Sequence, residues 1–287
     1  MSLIEKFVFK GKNDGLHLLI LGGVHGNETA GIKACQKIIS ELNSQKIKLE
    51  KGVLTLVPIC NPLAFQNDVR SMDENLNRVM KIHQNPQSYE QRLANEICPL
   101  IFQNRMLLDL HSTHCQGDVP FAFCDYADEY NTPLLNALDV DYVLEGWPEM
   151  YAAQDEISDF STEGYAHFCG NSGTTLECGY HKEPMAENIA YNAIISALKV
   201  YGMISGNVIA KPQKTHIKMQ NYVIKKQAGK LCRNYKHLDA VSAGENIAVY
   251  DTGKILYAPA DGYILLPNHS AGIGAEWYYF GTKKQGL

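Results

Sequence analysis

The 287-residue sequence has no unbroken apolar stretch of the roughly 20 residues that a membrane-spanning helix needs. Its longest candidate, Leu16 to Val24, is interrupted by His17 and by Gly22–Gly23. The first residues carry no basic segment followed by a long apolar one, so no secretory signal is expected. Cysteines at metal or redox spacing are also missing. The eight cysteines (Cys35, Cys60, Cys98, Cys115, Cys124, Cys169, Cys178, Cys232) are scattered, and none forms a C-x-x-C unit. Neither a zinc ribbon nor a thioredoxin motif is suggested, and reduced thiols in a cytoplasmic protein are the expectation. Excess positive charge is lacking too. Lys plus Arg number 26 against 31 Asp plus Glu, a formal charge of −5. No broad basic face is therefore expected, and neither nucleic acid nor a membrane is an expected partner. Hydrophobic residues, at 45%, are plentiful enough for a sizeable core and argue against general disorder.

Apolar patterning predicts the elements. Leu16–Val24 reads as a buried strand that ends in glycines. Ile32, Cys35, Ile38, Ile39 and Leu42 follow at helical spacing, with Asn27 or Thr29 available as a cap. Val53–Ile59 reads as a second strand closed by Asn61-Pro62. Tyr89, Leu93, Ile97, Leu100 and Ile101 mark a helix, Met106–Leu110 a strand ending at His111, and Thr174–Cys178 a strand ended by Gly179. Pro184 opens a further helix. Alternating strands and helices indicate an α/β layer fold with a parallel or mixed sheet. Beyond about residue 205 short β-rich pieces replace this pattern: Tyr222–Lys225, Ile247–Tyr250, Lys254–Tyr257, Tyr263–Leu266 and Trp277–Phe280. The division expected is an α/β unit over 1–205 and a small all-β unit over 206–287.

Four local signals carry chemistry. In Gly23-Val24-His25-Gly26-Asn27-Glu28, an imidazole and a carboxylate flank a glycine turn at the carboxyl end of a strand, where α/β sheets collect ligands. Asp109-Leu110-His111 presents a second imidazole in the same way, with His114 a rival, and Asp109 available to orient a ring. Two nitrogens and one carboxylate make the three-residue set of a catalytic zinc ion with an open fourth position. Glu177 lies in an apolar strand, where a carboxylate is costly unless paired or functional. Beside a metal-bound water it serves as a proton shuttle. Finally, Arg70 to Arg78 holds two arginines and two asparagines in one loop, suited to a carboxylate and a polarised carbonyl.

Together these strings resemble the succinylglutamate desuccinylase/aspartoacylase family of zinc carboxypeptidase-like hydrolases. The resemblance runs in order from about Leu18 to the C-terminus. It implies a three-layer zinc-carboxypeptidase-like domain with a mixed sheet and a small C-terminal β domain. It implies one Zn2+ on His25, Glu28 and His111, a substrate carboxylate on Asn77 and Arg78, Arg70 at the scissile carbonyl, and Glu177 as the catalytic acid–base. A C-terminal tyrosine that enters the site matches Tyr278 or Tyr279. Aspartoacylases carry a carboxylate-reading arginine ten residues before the catalytic glutamate. His167 occupies that place and cannot reproduce the guanidinium fork. The implied activity is hydrolysis of a small anionic N-acyl amino acid, with a homo-oligomer plausible. A metallocarboxypeptidase would use the same residues on a C-terminal peptide bond, and a binding module would hold a partner on the β domain with the metal site vestigial.

Overall fold

A computed structural model describes residues 2–152, 160–211 and 213–284. The leading apolar run does form the central strand, Asn13–Gly22, and Leu18 to Leu21 are fully buried within it. Successive strand side chains point to opposite faces, so both faces must be covered. Leu18 and Ile20 pack with Ile38, Ile194 and Leu198 of helices Thr29–Asn43 and Pro184–Val200. Leu19 and Leu21 pack with Leu93, Ile97 and Ile101 of helix Tyr89–Gln103 on the other side. The outcome is a helix–sheet–helix sandwich with two cores. Ser88 starts the Tyr89–Gln103 helix by accepting the Gln91 N–H at 3.1 Å.

Asn13–Gly22 lies between Lys51–Val57 and Met106–Thr113, parallel to both, and Met106–Thr113 is parallel to Ser172–Tyr180. Phe7–Lys10 and Phe121–Phe123 join antiparallel, so the sheet is mixed. It does not stop at residue 205. Tyr142–Glu145 pairs in parallel with Thr215–Ile224, and Glu276–Lys283, Gly262–Leu265 and Asp239–Val241 extend it antiparallel to eleven strands. Gly229–Leu231, Asn246–Tyr250 and Ile255–Tyr257 form a separate small sheet. The C-terminal strands share their own core around Ile247, Tyr250, Trp277 and Tyr278. The all-β C-terminal region is thus hydrogen-bonded edge-on to the α/β sheet. The strand expected to end at His111 runs on to Thr113. Phe121–Phe123 and Tyr142–Glu145, of three and four residues, are too short to show a periodicity. Among the described residues no helix is long and apolar enough to cross a membrane.

His237 ties the C-terminal region together. Its ring is buried 4.2 Å from that of Phe121, and its Nδ1 accepts the Leu266 N–H at 3.0 Å. Burial pushes its pKa down to about 3. Between about pH 6.5 and 3 the unfolded chain therefore binds a proton that the folded protein refuses, and stability falls as pH falls. The slope approaches about 1.4 kcal/mol per pH unit. His237→Asn keeps an acceptor for Leu266 and has no proton to take up. Its melting temperature should decline less steeply than wild type from about pH 6.5 downward, and parallel curves would refute the assignment.

Candidate active site

The chain leaves the central strand through Gly23, at φ +59°, a left-handed conformation that glycine adopts without strain. Gly26 lies against the backbone of Ala64, where a Cβ would meet the carbonyl carbon at 2.1 Å. The turn between them is drawn tight by the Glu28 N–H on the His25 carbonyl, at 3.2 Å. His25 Nδ1 consequently stands 2.8 Å from Glu28 Oε1. His111, on the neighbouring strand, brings its Nδ1 to 3.0 Å from Glu28 Oε2 and 3.2 Å from His25 Nδ1. All three side chains are buried, and their ligating atoms lie within 4.8 Å of one another.

The outer nitrogens settle which atoms are acceptors. Asn75 Oδ1 accepts the Asn77 backbone N–H at 2.9 Å, so it is the amide oxygen, and His25 Nε2 must donate to it at 2.9 Å. His111 Nε2 donates to Asp109 Oδ2 at 2.9 Å, and the Thr162 hydroxyl donates to the same oxygen at 2.6 Å. Asp109 is two residues from His111 on one strand and therefore shares its face. With both Nε2 hydrogens directed outward, two imidazole lone pairs and two carboxylate oxygens face one point. This acceptor-only cluster fits a divalent cation, and its nitrogen–oxygen set with hydrogen-bonded outer nitrogens suits zinc. Without a cation, protons must fill the gap. Burial works against a charged His111, but Asp109 and Glu28 outweigh it and raise the imidazole well above its ordinary value. Burial and the Arg70 charge push His25 down to about 4. Burial also opposes the Glu28 charge, yet His25 and His111 prevail and hold that carboxyl well below the usual range.

Glu177 is in register with His111 on the adjacent parallel strand. Its Oε2 is buried without a hydrogen-bond partner. Burial, reinforced by Glu28, pushes its pKa up to about 8. The loop from Arg70 to Arg78 is held by Glu90 in the first turn of the Tyr89–Gln103 helix. The buried Glu90 carboxylate accepts the backbone N–H groups of Met72 (2.8 Å), Asp73 (3.1 Å) and Glu74 (3.3 Å) and the side-chain amide of Asn61 (3.0 Å). Arg70 donates to Glu28 Oε1 at 2.9 Å, whereas no ion pair among the described residues includes Arg78. The Arg78 guanidinium lies over Trp147 (4.8 Å) and Tyr151 (5.7 Å). Asn77 Oδ1 accepts the Thr162 N–H at 2.9 Å, which leaves its NH2 as the group available to a ligand.

One cleft, with about 560 Å³ of empty space including its mouth, brings together His25, Arg70, Asn77, Arg78, His111 and Glu177. Glu28 is buried against the two histidines. Three expected residues lie elsewhere. His167 is exposed and stacked on Tyr126, with ring centroids 3.9 Å apart. Tyr278 is buried in the C-terminal core. Tyr279, on the opposite face of the strand, stacks on Trp147 at 5.2 Å and meets the Tyr151 hydroxyl at 3.4 Å, so it backs the aromatic bed under Arg78. The rival His114 is exposed and outside the acceptor cluster. Sequence reading missed Asn75 as the partner of His25, and it missed Trp147, Asp125 and Glu163 on the cleft wall. Gly146, at φ +93°, marks the turn before Trp147, and Asp125 Oδ1 accepts both the Gly146 (2.7 Å) and Trp147 (2.9 Å) N–H groups.

Comparison with known proteins bears on the family and the fold. Succinylglutamate desuccinylase of Shewanella sp. (strain W3-18-1) is 43% identical over 76 residues, 26% of this chain and 22% of that protein. The counterpart from Shewanella amazonensis is 37% identical over 67 residues, 23% of this chain and 19% of that protein. The chain thus aligns with about a fifth of the length of these curated relatives. Among solved structures, a succinylglutamate desuccinylase/aspartoacylase from Rhodobacter sphaeroides superposes with a TM-score of 0.77 at 17% identity, covering 99% of this chain and 90% of that one. The product-bound ectoine utilization protein EutE (DoeB) from Ruegeria pomeroyi gives 0.76 at 20% identity, covering 96% and 88%. These likenesses establish the fold. The model of the succinylglutamate desuccinylase/aspartoacylase catalytic domain matches residues 14–199, more than half of the sequence, and the chain belongs to that family.

Proposed function

We propose that the protein hydrolyses the amide bond of small N-acyl amino acids with one zinc ion. The observation that carries this reading is the shared cleft: the His25, Glu28 and His111 acceptor cluster, a Glu177 oxygen without a partner and a guanidinium without a carboxylate adjoin one space. When bound by those three residues, zinc supplies an acidified water and polarises a carbonyl. Arg78 and the Asn77 NH2 hold the substrate carboxylate, the guanidinium through two parallel hydrogen bonds. Trp147 and Tyr151 keep that guanidinium flat, with Tyr279 packed behind them. Arg70 adds positive charge for the acyl oxygen as it becomes negative. Glu177 takes the proton of the attacking water and returns it to the leaving amine. His167 and Tyr278 have no part in this reading. Residues 1–205 form the catalytic unit, and residues 206–287 supply the β unit that buttresses Arg78. The eight unpaired cysteines support a reducing compartment, the cytoplasm.

The test is release of free amine from a panel of N-acyl amino acids and short peptides by zinc-loaded protein. Hydrolysis of the N-acyl amino acids is expected. Release of C-terminal residues from the peptides alone would make the protein a metallocarboxypeptidase, and inertness toward both would overturn the hydrolase reading.

A further inference from the structure

We infer that the amino acid released by this protein has a cationic side chain, seated against Asp125 and Glu163. The inference rests on the deacylase reading above and narrows its substrate. Among the described residues, Arg70 and Arg78 are the lysines or arginines that line the cleft. In that reading Arg70, which pairs with Glu28 at 2.9 Å, serves the acyl oxygen, and Arg78 is the clamp for the α-carboxylate. A second substrate carboxylate would therefore find no free cation. His167, which stands where aspartoacylases carry their carboxylate-reading arginine, is exposed on Tyr126 and off the cleft wall.

The wall carries the opposite charge. Glu163 is buried at the start of helix Thr162–Phe168, next to the Thr162 N–H that holds Asn77. Its Oε1 accepts the Asp125 N–H at 2.9 Å, and Asp125 in turn holds the backbone N–H of Trp147, the residue beneath Arg78. The two carboxylates are thus built into the frame that positions the Asn77–Arg78 clamp. A side chain extending from a clamped α-carbon meets them. Their charge repels a carboxylate and attracts an ammonium group.

The experiment compares kcat/KM for the N-acetyl derivatives of ornithine, norvaline and glutamate, which differ mainly in the end group. Ornithine is expected to exceed norvaline about tenfold or more, with glutamate slowest. Glu163→Gln keeps the acceptor for Asp125, and Asp125→Asn keeps the acceptor for Gly146 and Trp147. Each should reduce the ornithine-to-norvaline ratio several-fold, the ratio being read within each variant so that any change in clamp position common to both substrates cancels. A faster glutamate derivative, or a ratio unchanged in both variants, would overturn the inference. Calorimetric binding of free ornithine, norvaline and glutamate tests the charge preference without turnover. If no derivative is hydrolysed yet ornithine binds tightest, the deacylase reading fails and the cationic seat stands; equal or inverted binding removes the seat.

Discussion

Glu177→Gln is expected to lower kcat by about 10²–10⁴, the usual weight of a positioned acid–base group, while metal content stays at the wild-type level. The two effects separate because the ligands come from other elements. His25 and Glu28 sit after the central strand, and His111 sits on the strand beside Glu177. Glutamine keeps the volume and one acceptor of the half-buried side chain but cannot carry a proton between water and amine. Burial and Glu28 already make Glu177 a reluctant anion, with its pKa near 8, so the group is poised to take a proton and release it again at neutral pH. A divalent charge alongside favours the anion that must act as base. The measurements are steady-state kinetics and elemental analysis of the same preparation. Near-wild-type turnover removes Glu177 from the reaction, whereas loss of metal together with activity makes it a support for the metal site.

Stripping the protein with a chelator should lower its melting temperature by about 10 °C, and zinc should restore it. Four acceptor atoms converge between His25, Glu28 and His111; with both Nε2 hydrogens directed outward the two Nδ1 lone pairs have no donor, while the Glu28 oxygens take the Arg70 guanidinium (2.9 Å) and the Ser112 N–H (3.0 Å). A cation that binds only the folded arrangement stabilises it by about 4 kcal/mol when present at roughly a thousand times its dissociation constant. At the 2–4 °C per kcal/mol typical of chains near this size, that corresponds to the shift stated. His111→Ala should melt at the same temperature with or without zinc. Protons compete for the same lone pairs, so the zinc-induced shift should shrink as pH falls. A wild-type melting temperature indifferent to both chelator and zinc would show that the cluster is an ordinary buried ion pair.

Much of this arrangement is legible before any coordinates. The Leu16–Val24 run is recognisable because its strand is covered on both faces, which demands apolar residues without alternation. His25, Glu28, His111 and Glu177 are conspicuous because each interrupts or ends such a run with a polar group. The aromatic bed and acidic wall are not legible in the same way. Trp147, Asp125 and Glu163 meet through turn geometry and short strands, and no periodicity links them. The choice between Tyr278 and Tyr279 depends on the phase of one strand, which spacing alone does not reveal. Asn75 stands inside the Arg70–Arg78 string, but its hold on His25 spans 50 residues and exists only once the loop has folded back.

Glu90 has a consequence for how a substrate is met. Its carboxylate fastens three successive backbone N–H groups of the Arg70–Arg78 loop to a helix packed under the central sheet. Freezing a loose chain costs about 1–2 kcal/mol per residue in conformational entropy. Here much of that cost falls on folding, once, and not on each encounter with a ligand. The anion clamp is a standing template and not a closing hand, so an incoming carboxylate spends its binding energy on selectivity and reaction geometry instead of on ordering the protein around it.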